Sequence, residues 1–248
     1  MTTHTPHPKE SPACESIRLS LETTADGSHT FYLPALDEHY HSVNGALRES
    51  LHVFIEAGWK QRLSCGSVPP AVRILEIGFG TGLNAFLTLL EADAARQPVL
   101  FHTIERYPLG DEAVQALNYA ELAAPARREA FLALHGVPWN RPARITPFFT
   151  LHKLSADCLT CTLPGTFDLI YFDAFAPDKQ PEMWNQPLFD TLFRHTADGG
   201  ILTTYCAKGA VRRMLQASGY RVERLPGPPG KREMLRAQKD EARLHFSE

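Results

Sequence analysis

The chain has 248 residues, 44% of them hydrophobic and 21% charged, with a formal net charge of −3. This balance describes a folded domain with a substantial core, and it argues against a protein that coats nucleic acid indiscriminately. No run approaches the ~20 consecutive apolar residues of a membrane span, and the polar opening Met1 to Pro12 lacks the apolar stretch of a signal peptide.

In chain order, Ile17 to Leu21 and His29 to Leu33 alternate apolar and polar residues around Ala25-Asp26-Gly27. That pattern predicts a β-hairpin, because Asp-Gly supplies the positive φ angles of a tight turn. From Gly45 to Trp59, Leu47, Leu51, Phe54 and Ile55 recur at helical spacing, and Ser64 to Pro70 reads as a loop. An apolar run from Val72 to Ile77 then stops at Gly78, Gly80 and Gly82, with Leu83, Phe86, Leu87 and Leu90 following on one helical face. A second run, Val99 to Ile104, ends at Glu105, and residues 109–135 hold two helical stretches separated near Pro125. Ile145 to Leu154 is β-like, and Phe167 to Phe172 is apolar except for Asp168 and ends at Asp173. Gly199-Gly200 precedes a strand, Ile201 to Tyr205, and a helix from about Ala207 to Ser218. Tyr220 to Leu225, a turn through Pro226–Gly230, and Glu233 to Ala237 predict an antiparallel last strand that closes the sheet.

The alternation of β and α units predicts a doubly wound α/β fold with a mostly parallel, seven-stranded, Rossmann-like sheet covered on both faces. A small N-terminal hairpin-and-helix extension is expected over residues 16–66, the main domain over 67–240, a disordered leader over 1–15 and a tail over 241–248. Five cysteines, scattered and odd in number, fit reduced thiols and a cytoplasmic location. From Tyr205 onward ten Lys/Arg stand against five Asp/Glu, so a phosphate-binding face or an ordinary solvated surface is open there.

A strand that turns into a helix through glycines lets backbone approach a ligand where a Cβ would collide. A dinucleotide fingerprint needs Gly-x-Gly-x-x-Gly, but the sixth position here is Leu83. Gly78-x-Gly80-x-Gly82, with Phe79 between and Asn84 after, suits a cofactor without phosphate, which points to S-adenosyl-L-methionine. Glu105 is then placed to accept hydrogen bonds from ribose hydroxyls, as acidic residues do at that point in dinucleotide folds. Glu76 is expected to face the cofactor's ammonium group, and Asp157 either an adenine amino group or its own loop. An apolar strand delivers Asp173 beside this crevice. A carboxylate there can orient an incoming amine and accept its proton, or simply cap its loop.

The chain resembles a known family, the MnmD tRNA wobble-uridine methyltransferases, also found as the N-terminal half of the bifunctional MnmC. The resemblance runs from about Phe31 to Leu235. It rests on Asp37-Glu38-His39-Tyr40-His41-Ser42-Val43-Asn44-Gly45, Glu49-Ser50, the glycine loop through Asn84, Phe172-Asp173-Ala174-Phe175-Ala176-Pro177 with Pro181-Glu182-Met183-Trp184, and Gly230-Lys231-Arg232-Glu233-Met234. It implies methyl transfer from S-adenosyl-L-methionine to 5-aminomethyl-2-thiouridine at the first anticodon position, giving 5-methylaminomethyl-2-thiouridine, with the catalytic aspartate at Asp173. The FAD-dependent half of bifunctional members has no counterpart before Glu248, so oxidase activity is not expected and other enzymes would supply the aminomethyl group. A base drawn from its stack needs an aromatic platform, for which Phe175, Trp184, Tyr40 and Tyr107 are candidates. Lys208, Arg212, Arg213, Lys231 and Arg232 are candidates for anticodon-stem phosphates, the last two being favoured because they follow the Pro/Gly turn.

Cys158 and Cys161 form a lone Cys-x-x-Cys, and His39 and His41 flank Tyr40; no metal is expected at either. Asp37–Ser42 is a candidate lid, and Asp178 and Lys179 a candidate surface pair. Two rival functions use the same features: a spermidine-synthase-type aminopropyltransferase, and a non-catalytic RNA-binding module on the same scaffold. The first usually bears an acidic residue in the glycine loop, where this chain has Phe79 and Thr81.

Overall fold

The computed structural model describes residues 18–65 and 67–240; the expected leader, Ile17 and the tail from 241 lie outside them. Three short strands, β1 (Ser20–Thr23), β2 (His29–Leu33) and β3 (Glu38–His39), form an antiparallel sheet of their own. Asp26 does more than turn the hairpin. Its carboxylate accepts from Thr24 Oγ1 at 2.8 Å and, across the chain, from the Arg48 backbone N–H at 3.0 Å. It thereby caps helix α1, which continues through Ala46–Ser50, a π-helical stretch Leu51–Lys60 and Gln61–Ser64.

The main sheet is built from β4 (Val72–Ile77), β5 (Val99–Glu105), β6 (Ala143–Thr146), β7 (Phe149–Ser155), β8 (Phe167–Phe172), β9 (Thr196–Thr204), β10 (Arg221–Pro226) and β11 (Glu233–Gln238). Its order is β10-β11-β9-β8-β4-β5-β7-β6, eight strands where seven were expected. The extra strand arises because the run from Ile145 to Leu154 is not one element. Pro147 and Phe148 turn the chain, and β6 folds back antiparallel on β7 at the sheet edge. The last strand is antiparallel as expected, but it slots between β9 and β10 instead of lying at the edge. The five central strands are parallel.

Helices α2 (Leu83–Ala95), α3 (Asp111–Ala116), α4 (Tyr119–Ala123), α5 (Arg128–Gly136), α6 (Gln186–His195) and α7 (Gly209–Ser218) cover the two faces. Residues 109–135 hold three helices and a 3-10 turn at Pro125–Arg127, one helix more than the apolar spacing suggested. One core lies under α1, α2 and α5, with Phe54, Trp59, Phe86 and Phe131; the other lies under α6 and α7, with Phe172, Phe189 and Leu215. Chain order reverses between β4 and β8, and the crevice outside the carboxyl ends of such neighbours is where open α/β sheets bind ligands.

Asp168, the one charge in the β8 run, has a structural reason. Its Oδ2 accepts from the Arg73 backbone N–H at 2.8 Å, and its Oδ1 faces Arg62, a buried guanidinium of α1, at 3.4 Å. The pair ties α1 to the parallel strands. Asp168→Ala leaves a buried cation and a backbone donor unpaired, so a loss of about 3 kcal/mol is expected in urea denaturation.

Candidate active site

The glycine loop starts where β4 ends. Gly78 has φ +90°, and a Cβ there would stand 2.8 Å from the Asp173 carbonyl oxygen. The loop is thus laid directly against the end of β8, with the Asp173 N–H donating to Ile77 O at 3.1 Å and the Gly78 N–H to Ile104 O at 3.0 Å. Over Gly80, φ +49°, the Tyr40 ring closes the loop from above, 3.1 Å from where a Cβ would stand. An open cavity of ≈ 820 Å³, its mouth included, runs along these strand ends; Gly78, Phe79, Gly80, Glu105, Asp157 and Asp173 line it.

Glu105 holds the loop with one oxygen, accepting from the Gly80 N–H at 3.0 Å, and accepts from the Tyr107 N–H at 2.8 Å with the other. A carboxylate has about four lone-pair sites, so two remain for hydroxyl hydrogens in the cavity. Asp157 also lines the cavity while capping its turn: Leu159 N–H donates to Oδ1 at 2.9 Å and Arg106 to Oδ2 at 2.9 Å. Tyr107 and Leu159 are exposed at the rim, an apolar setting for a flat ring. A glycine cradle, a carboxylate with free lone pairs and apolar rim residues fit S-adenosyl-L-methionine.

Asp173 is half-buried. Asn84 Nδ2 donates to its Oδ2 at 2.8 Å, leaving Oδ1 available in the cavity. Burial pushes its carboxyl up to about 7, with the nearby Glu49 charge adding and Asn84 and Lys231 opposing. Beside it, Tyr40 and Phe175 meet edge to face with centroids 5.2 Å apart. Phe79 contributes to the cavity wall, but its ring packs against His135 and Trp139.

Several expected placements differ. Glu76 and Asn84 are buried and do not line the cavity: Glu76 accepts from Thr103 Oγ1 at 2.7 Å, and Asn84 serves Asp173. Gly82 stands behind the loop as the cap of α2. Trp184 is buried and donates its indole N–H to Phe175 O at 2.7 Å, bracing the loop instead of offering a platform. Lys208 pairs with Asp178, so Asp178 and Lys179 do not pair with one another; Lys179 meets Asp37 at 2.9 Å. Lys231 is ion-paired with Glu49 and lies over the Tyr205 ring, 3.8 Å from its centroid. Arg232 is exposed and makes no ion pair among the described residues.

Sequence reasoning gave no role to Glu49 or Tyr205. Glu49 is buried and accepts from the Ser42 N–H at 2.8 Å as well as from Lys231, joining the Asp37–Ser42 segment to the turn after β10. The Glu49-Ser50 pair stood among the family motifs, the one signal that pointed to it. His41 and Thr81 Oγ1 are 2.6 Å apart, and burial pushes the His41 imidazole down to about 4, so it stays neutral beneath the loop. Among the described residues no group of His, Cys, Asp or Glu is arranged to hold a metal ion, and no helix is long and apolar enough to cross a membrane.

A family model described as S-adenosyl-L-methionine-dependent methyltransferase matches residues 148–240. The tRNA 5-methylaminomethyl-2-thiouridine biosynthesis bifunctional protein MnmC of Magnetococcus marinus is 35% identical over 221 residues, covering 84% of this chain and 32% of that protein. The MnmC of Pseudomonas savastanoi pv. phaseolicola is 36% identical over 209 residues, 79% of this chain and 31% of that protein. The chain therefore spans about a third of the length of these curated relatives. Among solved structures, MnmC2 from Aquifex aeolicus superposes with a TM-score of 0.74 at 25% identity, over 92% of this chain and 73% of that one. With the glycine loop, Glu105 and Asp173 on one crevice, the chain is an S-adenosyl-L-methionine-dependent methyltransferase domain similar to the methyltransferase part of MnmC.

Proposed function

We propose that the chain methylates the primary amine of 5-aminomethyl-2-thiouridine at the wobble position of tRNA, giving 5-methylaminomethyl-2-thiouridine. The observation that carries this reading is Asp173, a half-buried carboxylate with one free oxygen at the loop that cradles the cofactor. S-adenosyl-L-methionine supplies an electrophilic methyl group when bound. Gly78, Gly80 and Glu105 would hold it, with Asp157 at the adenine end. Asp173 Oδ1 accepts a hydrogen bond from the amine, fixes the direction of its lone pair and takes up the proton that methylation releases. A base whose pKa lies near the working pH is suited to both tasks.

Tyr40 and Phe175 flank the carboxylate and offer aromatic faces to a base taken out of the anticodon stack. The MnmC relatives, named for tRNA 5-methylaminomethyl-2-thiouridine biosynthesis, support the tRNA substrate. An enzyme acting earlier on the same uridine would have to install the aminomethyl group, and a tRNA substrate places the work in the cytoplasm. For the anticodon stem, the exposed Arg232 and the α7 residues Arg212 and Arg213 support the reading better than Lys208 and Lys231, which are held by Asp178 and Glu49.

Purified protein, isotope-labelled cofactor and tRNA bearing the aminomethyl group are expected to yield labelled 5-methylaminomethyl-2-thiouridine by nucleoside mass spectrometry. Absence of label from tRNA refutes the assignment. Because Asp173 must be ionised to accept a proton, kcat/KM is expected to rise with pH through about 7 and to lose that limb in Asp173→Asn. The same variant should keep cofactor affinity in calorimetry and lose about 10²–10⁴ in kcat. Arg212→Ala with Arg232→Ala is expected to weaken tRNA binding and to lower its salt dependence by about one unit of slope per lost phosphate contact. An unchanged slope would place the RNA elsewhere.

A further inference from the structure

After Asp173 the chain runs along the cavity wall, where Gln180 and Glu182 line the same space as Asp173, Tyr40 and Phe175. The backbone that carries Gln180 is tied on both sides. Its N–H donates to Ala176 O at 2.9 Å, its carbonyl accepts from the Met183 N–H at 3.1 Å, and Pro181 follows directly. The Trp184 indole braces the same loop through Phe175 O. Gln180 is half-buried, whereas Glu182 is exposed. The Gln180 amide makes no hydrogen bond among the described residues, so a fixed backbone presents an uncommitted donor and acceptor to the cavity. A uracil ring needs such a pair. Its O4 accepts, its N3–H donates, and the two lie side by side, O4 next to the carbon that bears the aminomethyl group. Among the side chains lining the cavity, Glu105, Asp157, Asp173 and Glu182 only accept when ionised, and Arg106 only donates and is held by Asp157. His41 and Thr81 are bonded to one another, and each tyrosine has a single hydroxyl. Gln180 is the one that carries donor and acceptor side by side on a planar amide.

We propose that Gln180 binds the substrate base, its Nε2–H donating to O4 and its Oε1 accepting from N3–H, while Asp173 receives the amine. O4 neighbours the substituted carbon, so the edge met by Gln180 and the group met by Asp173 lie on one side of the ring. Both side chains come from one loop, which matches that arrangement. Contact with the Tyr40 and Phe175 rings leaves the base free to rotate in its own plane, and two in-plane hydrogen bonds stop that rotation. An amide can turn over and meet cytosine equally well, so Gln180 orients the ring and leaves the choice of substrate to the amine. This assignment deepens the wobble-uridine reading and rests on it.

Gln180→Ala is expected to lower kcat/KM for tRNA bearing the aminomethyl group about ten- to a hundredfold, with S-adenosyl-L-methionine affinity unchanged in calorimetry. Gln180→Glu keeps the shape but sets a carboxylate against O4, so it is expected to lose about as much. The sharper comparison uses an anticodon stem-loop whose wobble 5-aminomethyl-2-thiouridine is also methylated on N3, which removes the donor. The parent is expected to lose about tenfold or more on it, and Gln180→Ala, with no acceptor to leave unpaired and room for the methyl group, about twofold at most. An equal loss in parent and Gln180→Ala overturns the proposal, as does parental kcat/KM in Gln180→Glu on the ordinary substrate. A parent protein that leaves the ordinary aminomethyl stem-loop unmethylated overturns the wobble-uridine reading as well, and this control separates the two failures.

Discussion

The glycine loop and the Asp173 carboxylate are kept in register by one backbone contact: a side chain on Gly78 would meet the carbonyl oxygen of Asp173 at 2.8 Å. That contact is the continuation of a ladder in which Ile77 stands opposite Phe172 and Glu76 opposite Tyr171. The spacing between loop and carboxylate is therefore set by pairing of two central strands, buried along most of their length, not by flexible side chains. Positioning accounts for much of what a methyl-transfer enzyme must do, and a site hung on the most rigid part of the sheet does it with little reorganisation.

The same crowding has an electrostatic consequence. Glu105, Asp157 and Asp173 converge on one crevice, with Glu76 behind them. Asp173 has its carboxyl raised from 3.8 to about 7, so the folded state grips that proton more tightly than the unfolded chain does. Its stabilising contribution is whole below pH 4 and is lost as pH rises through 7. His41 and His135, both pushed down to about 4 chiefly by burial, act in the opposite sense: their contribution is whole above 6.5 and is lost as pH falls toward 4. An acidic crevice is costly when empty and complementary to a cofactor that carries a sulfonium and an ammonium. Such strain at functional sites is the usual trade of stability for activity.

The sheet and its cradle were legible in the sequence because period and punctuation carry that information. Val72 to Ile77 ending in Gly78 and Phe167 to Phe172 ending in Asp173 needed no tertiary knowledge. What escaped was whatever depends on long-range partners. Pro147 split one β-like run into β6 and β7. The burial of Glu76 follows from its place in a ladder between β5 and β8, which a strand-end position alone does not reveal. Lys231 looked like a free cation beside a Pro/Gly turn, yet its partner Glu49 lies 182 positions away in the chain. Part of the basic bias after Tyr205 is likewise taken up by ion pairs: Arg221, Arg224, Arg236 and Lys239 all meet carboxylates.

That Glu49–Lys231 pair bears on the chemistry through what it leaves out. At Asp173 the carboxylate of Glu49 raises the proton affinity and the ammonium of Lys231 lowers it. Two opposite charges in contact partly offset one another at a third group. Either charge alone would drag Asp173 away from neutrality, Lys231 toward an ordinary weak carboxylate and Glu49 toward a group that stays protonated. Paired, and with the ammonium seated over Tyr205 at 3.8 Å, they oppose one another at Asp173, where burial is the largest cause of the raised carboxyl. Burial is fixed by the strands. The pair also joins α1 to the turn after β10, and the bond from the Ser42 N–H to Glu49 brings the Asp37–Ser42 segment to the same place.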